Sequence, residues 1–150
     1  MKALLGMLDL GRRQAVGDRG PIRHWHKGRA VLLGDAAHPT LQSLAQGACM
    51  AIEDGLCLAE SVDVTQGDFD RAFRQFAAAR HVRTARVTLE SRYLWEVYHA
   101  EGIARDVRNT TTTQWSEDHM FRCLAWLYDG FALSAECKEA QQRAQAGSRL

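Results

Sequence analysis

No run in this chain approaches the roughly 18 consecutive apolar residues that a membrane-spanning helix requires, and Met1-Lys2 does not lead into a signal peptide. Neither secretion nor a membrane partner is expected on that basis, and the cytoplasm is the default location. Charge is also nearly balanced. Nineteen basic against eighteen acidic residues leave a net charge of +1, too little to draw nucleic acid or an anionic membrane by field alone. The four cysteines, Cys49, Cys57, Cys123 and Cys137, include no CxxC pair, which speaks against a disulfide or metal framework. Three of them fall in apolar helical surroundings and read as reduced core thiols. No GxGxxG occurs, so a dinucleotide phosphate cradle of that type is missing, and no GxSxG marks a hydrolase nucleophile. There is no internal repeat and no low-complexity linker.

What is present concentrates between residues 32 and 54, LLGDAAHPTLQSLAQGACMAIED. Val31, Leu32 and Leu33 form a short apolar run closed by Gly34, predicting a strand buried on both faces. Asp35 would emerge at its carboxyl end, where open α/β sheets face their ligands and a carboxylate accepts hydrogen bonds from sugar hydroxyls. Asp after a strand also caps its own turn, so the residue type alone leaves both roles open. Pro39 stiffens the turn, and Gly47 lets backbone approach a flat ligand at a helix start expected within residues 45 to 48. The positive end of that helix suits an electron-rich ring edge. Ala48, Ala51, Gly55 and Ala59 share a narrow face suited to close packing of the helix on a sheet.

Competing readings attach to several residues. His38, in a proline-bounded turn, is expected to satisfy backbone groups rather than act as a base. His24 and His26 stand at i, i+2 but lack a third ligand, and no metal is expected. Asp35, His38 and Ser43 hold the residue types of a hydrolytic triad within nine residues and without an elbow, which disfavours an esterase-like hydrolase. Six arginines between Arg71 and Arg92 read as a solvated helix face rather than an RNA surface. Tyr93, Trp95 and Tyr98 read as core or interface.

The remaining pattern is mainly helical. A short helix is expected over residues 4 to 16, turns from Gly17 to Gly28, and then the strand and its following helix to about Ser61. After a break at residues 63 to 70, Phe69, Phe73 and Phe76 fall at i, i+4, i+7 on a long helix running past Arg92. Thr110 to Thr113 is a β-branched run poorly suited to helix. Trp115 to Tyr128 reads as amphipathic helix, and residues from about 134 as a polar tail.

These residues resemble the single-component, FAD-dependent aromatic hydroxylases, whose second flavin motif reads GDAAHP followed by a QG-containing helix start. Asp18-Arg19-Gly20-Pro21 with Trp25, Gly28 and Arg29 is similar to the lead-in of that motif. Arg80, the run Arg83 to Val87, Tyr98-His99-Ala100, Arg108-Asn109 and Trp126-Leu127-Tyr128 are similar to the 3-hydroxybenzoate 6-hydroxylase branch. The resemblance spans roughly residues 18 to 131. It implies an α/β class, the carboxyl-terminal part of a two-domain Rossmann-like FAD-binding fold, mostly helical here. Residues 1–61 would hold the end of the substrate domain and the second flavin motif, 62–131 a helical region and 132–150 a tail. It further implies FAD as cofactor with NADH and O2 as co-substrates, Asp35 on the ribityl chain, Pro39 shaping the turn, and Ala45, Gln46, Gly47 and Ala48 around the flavin. Gln42 would orient the substrate ring in place of the Pro that many relatives carry. The implied reaction is hydroxylation of a small phenolic acid, 3-hydroxybenzoate to 2,5-dihydroxybenzoate, with a homodimer expected for the full-length enzyme. Salicylate hydroxylation and an inactive flavin-fold remnant serving in subunit contacts are the alternatives. Because the GxGxxG unit is missing, the isolated chain is expected to be a piece of a larger enzyme and inactive alone.

Overall fold

A computed structural model describes residues 15–128, together with Met7 and Gly11. Most of the helix expected over 4–16 and the polar tail therefore lie outside the described residues, as does Cys137. Four helices make up most of the rest: α1 (Gly47–Val64), α2 (Phe69–Tyr98), α3 (Gly102–Thr113) and α4 (Glu117–Tyr128). Ahead of them sits a two-residue-per-strand antiparallel hairpin, β1 (His26–Lys27) and β2 (Ala30–Val31), with His26 opposite Val31 and Lys27 opposite Ala30. Gly28, at φ +56°, supplies the left-handed turn between them.

The expected buried strand is corrected here. β2 stops at Val31, and Leu32 and Leu33 are 36% and 40% exposed. A parallel strand is buried by neighbours on both sides, and among the described residues β2 has only β1 beside it. The small-residue face is corrected for the same reason: Ala48, Gly55 and Ala59 are exposed and Ala51 is half-buried, with no sheet against them among the described residues. α1 buries the opposite stripe, Met50, Asp54, Cys57 and Ser61, spaced by four, three and four residues as one helical face demands. It ends at Val64, three residues beyond the expected Ser61.

That stripe lies along α2. Asp68 caps α2, its Oδ1 accepting the Arg71 N–H at 3.1 Å, and Gly67 at φ +83° closes the turn before it. Phe73 and Phe76 are buried, whereas Phe69 in the first turn is exposed. One core cluster joins Trp25, Ala37, Cys57, Phe76 and Ala77; a second joins Leu44, Met50, Val87 and Leu127. Emptying the Phe76 position would cost about 3–5 kcal/mol. Both clusters meet at α1, so the helix that begins at Gly47 is fixed along its length by α2 and at its start by α4.

Further expectations change. Cys57 is buried as a core thiol, but Cys49 and Cys123 are exposed. Arg80, read as part of a solvated face, is fully buried. Tyr93 and Tyr98 are exposed, so of the two readings, core or interface, the core one falls for this pair. The Thr110 to Thr113 run is helical after all, the weak β-branched penalty being overridden by its context; Thr110 Oγ1 donates to Asp106 O at 2.9 Å and Thr112 Oγ1 to Arg108 O at 3.0 Å. No described helix is long and apolar enough to cross a membrane.

Candidate functional site

Between β2 and α1 the chain makes two tight turns, residues Gly34–Ala36 and Gln42–Leu44, and the space between them is the candidate site. Gly34 has φ +55°, and a Cβ placed on it would stand 3.3 Å from Ala51 Cβ of α1. Only glycine takes that backbone without strain at that approach. The turn closes as the Ala37 and His38 N–H groups both donate to Gly34 O at 2.9 Å. Arg19 reaches over it, its guanidinium donating to Ala36 O at 2.8 Å and Ala37 O at 3.0 Å. Asp18, next to it, accepts two bonds from Arg92 of α2, at 2.5 and 3.1 Å. The Asp18-Arg19 pair thus ties the turn to the long helix.

The second turn ends on Ala45 at φ +54°, a left-handed conformation that an alanine holds at a cost of about 1–2 kcal/mol. It delivers the chain to Gln46, and α1 starts at Gly47 with no side-chain cap. The first N–H groups of a helix have no partner within it, so α1 opens with free donors and a partial positive charge. Gln46 is itself buried, its Nε2 donating to Tyr128 Oη at 3.3 Å.

Asp35, Gln42, Ala45, Gly47 and Ala48 line one open cleft of about 460 Å³, with Thr40, Leu41 and Ala51 completing the wall. Five of the seven residues singled out from sequence are therefore brought together. Pro39 and Gln46 are outside the lining: Pro39 is half-buried behind the turn, and the Gln46 side chain is held by Tyr128. His24 and His26 join no metal-ligating group among the described residues. His38 is buried and stacks near Trp25 with ring centroids 5.5 Å apart, but its ring meets the Asp54 carboxylate rather than the backbone groups expected of it.

Behind the cleft lies a charged cluster that the sequence reading missed. Asp54, fully buried, accepts hydrogen bonds from Gly34 N–H at 3.1 Å, His38 Nε2 at 2.6 Å and Arg80 Nε at 2.8 Å. Arg80 also pairs with Glu53 at 2.7 Å, and Arg83 with Glu53 at 2.9 Å. Burial alone would favour the neutral acid at Asp54, but the bonds from His38 and Arg80 outweigh it and hold the carboxyl below its ordinary pKa. An ionised Asp54 only accepts, so His38 Nε2 carries the proton in this contact. The signal was available: Asp54 occupies the same helical stripe as Met50 and Cys57, and Arg80 the stripe of Phe73 and Phe76.

Comparison with known proteins places this geometry. The 3-hydroxybenzoate 6-hydroxylase of Polaromonas naphthalenivorans is 44% identical over 127 residues, 85% of this chain. The 3-hydroxybenzoate 6-hydroxylase 2 of Aquipseudomonas alcaligenes is 42% identical over the same share. In structure, the chain superposes on a variant of Klebsiella pneumoniae HpxO complexed with FAD at a TM-score of 0.71 and 25% identity, over 83% of this chain and 33% of that one. The chain is similar to the FAD-dependent aromatic hydroxylases. It matches one part of them, spanning 32% and 40% of the lengths of the two curated relatives. No family model matches. The α/β hydroxylase fold expected from the motif is thus the fold found, in a portion that is mostly helix.

Proposed function

We propose that this chain contributes the second flavin-binding motif of an FAD-dependent aromatic monooxygenase, which uses NADH and O2 to convert 3-hydroxybenzoate to 2,5-dihydroxybenzoate. The observation that carries this reading is the sharing of one cleft by Asp35, Gln42 and the uncapped start of α1 at Gly47. The donor set fits a flavin. An exposed carboxylate beside small residues suits the hydroxyls of a ribityl chain, and helix amides with a positive end suit the pyrimidine edge, where negative charge collects on reduction. Ala45, Ala48 and Ala51 leave room for a planar ring. FAD, reduced by NADH, supplies the electrons and the activated oxygen when bound.

The protein's task is positional. Asp35 accepts from the ribityl chain, the amides near Gly47 and Ala48 stabilise the anionic ring edge, and Pro39 sets the turn. Gln42, whose amide both donates and accepts, orients the phenolic ring at the open end of the cleft. The relatives named above for 3-hydroxybenzoate favour that acid over salicylate. The same reading places the enzyme in the cytoplasm, as a homodimer at full length.

The test is aerobic NADH oxidation by the protein at its full natural length, with 3-hydroxybenzoate and salicylate compared and the product identified. Stimulation by 3-hydroxybenzoate with formation of 2,5-dihydroxybenzoate is expected; stimulation by salicylate alone would reassign the substrate. Gln42→Leu should slow or uncouple hydroxylation by about tenfold or more while leaving FAD bound, which titration of the flavin absorbance checks.

A further inference from the structure

Asp35 stands on a three-residue turn at the protein surface, and its neighbour Gly34 has the freest backbone of any residue type. A carboxylate on such a support holds a ligand weakly unless both ends of the turn are fixed. Both ends converge on one group. Gly34 N–H, immediately before Asp35, and the His38 ring, three residues after it, donate to the same oxygen, Asp54 Oδ2, at 3.1 and 2.6 Å. The other oxygen is held by Arg80 at 2.8 Å, and Arg80 is anchored again by Glu53. All of this occurs without solvent contact at Asp54 and Arg80, where a charged hydrogen bond is strong and directional.

We propose that His38 and Asp54 are positioning residues for the coenzyme: their buried hydrogen bond clamps the Gly34–His38 turn to α1 and thereby fixes Asp35 relative to the helix start at Gly47. The inference rests on the assignment of Asp35 to FAD and adds to it the groups that hold Asp35 in place. His38 is the better probe of the two, because removing it leaves the Asp54–Arg80 pair and its Glu53 support intact. Asp54 still receives Gly34 N–H and Arg80 Nε, so no unpaired charge is created in the core.

The experiment is a double-mutant cycle on the FAD dissociation constant of the apoprotein at full natural length, read by flavin fluorescence, with urea unfolding of each apo variant in parallel. Asp35→Ala and His38→Leu should each weaken FAD binding by about tenfold, the scale of one charge-assisted hydrogen bond. If His38 acts through Asp35, the double variant should bind within about twofold of Asp35→Ala. His38→Gln, whose side-chain amide restores a donor toward Asp54, should bind FAD within about threefold of the unmodified protein. A residue that serves stability alone would lower the urea midpoint and multiply with Asp35→Ala in the cycle. Multiplied effects, or a His38→Leu variant with unchanged FAD affinity, would overturn the proposal while leaving the Asp35 assignment standing. Unchanged affinity in Asp35→Ala would instead remove that assignment and this inference with it. Should His38→Leu not fold, His38→Asn, whose shorter amide falls back from Asp54, takes its place in the same cycle.

Discussion

Asp54 keeps its charge in a place without solvent because three donors replace the lost hydration, and this makes it sensitive to substitution. Asp54→Asn would take one of two carboxylate charges away from the buried Arg80 guanidinium, leaving its Glu53 ion pair. A loss of about 3–5 kcal/mol in urea unfolding is expected. The pH dependence has a definite sign. With its folded pKa below the unfolded one, Asp54 contributes stability that is complete above the ordinary carboxylate value of about 3.9 and is lost as pH falls through the depressed folded value. Acid unfolding followed by circular dichroism should therefore be less steep in Asp54→Asn than in the unmodified protein. Gly34→Ala meets both a left-handed φ and the Ala51 contact at 3.3 Å, and should cost about 1–3 kcal/mol in the same assay. At this scale the exposed polar and small residues of the cleft were legible, because Asp35, Gln42 and Gly47 sit in a local pattern. Asp54 and Arg80 each lie on a readable helix stripe, but they meet across 26 residues, and no local pattern displays the pairing itself.

Elements follow the same division. Helix periodicity identified α2 and α4, and the break at residues 63 to 70 marked the start of α2. The strand at Val31 to Leu33 failed because an apolar run becomes a buried strand only when other strands cover it, a condition set far from the run itself. Threonines 110 to 113 failed in the opposite direction, the β-branched penalty being small enough for helix context to override. The last helix is held by a clamp that periodicity does not announce: Arg83 pairs with Glu53 and donates to Trp126 O at 3.1 Å and Leu127 O at 3.2 Å, while Arg86 stacks 3.8 Å over the Trp126 ring. Leu127 lies in the core beside Leu44 and Met50. Arg83→Ala should free this end of α4 by about 1.5–3 kcal/mol. Hydrogen exchange would then speed up in residues 117–128 and around Gln46, with α2 still protected; uniform protection in the variant would refute the clamp.

For the whole molecule, the flavin reading assigns only one side of a coenzyme to these residues. The cleft at Asp35 is open, no GxGxxG cradle is present in the sequence, and Leu32 and Leu33 are exposed. The 150 residues expressed alone should not carry FAD through a desalting column, because the phosphate-binding half of the affinity is missing. A yellow protein with stoichiometric FAD would show that this cleft suffices by itself. The most direct measurement of the central claim is a crystal structure of the protein at its full natural length with FAD bound. The account predicts the ribityl hydroxyls within hydrogen-bond distance of Asp35 and the pyrimidine edge against the amides of Gly47 and Ala48. A flavin bound elsewhere, with Asp35 facing solvent, would contradict it.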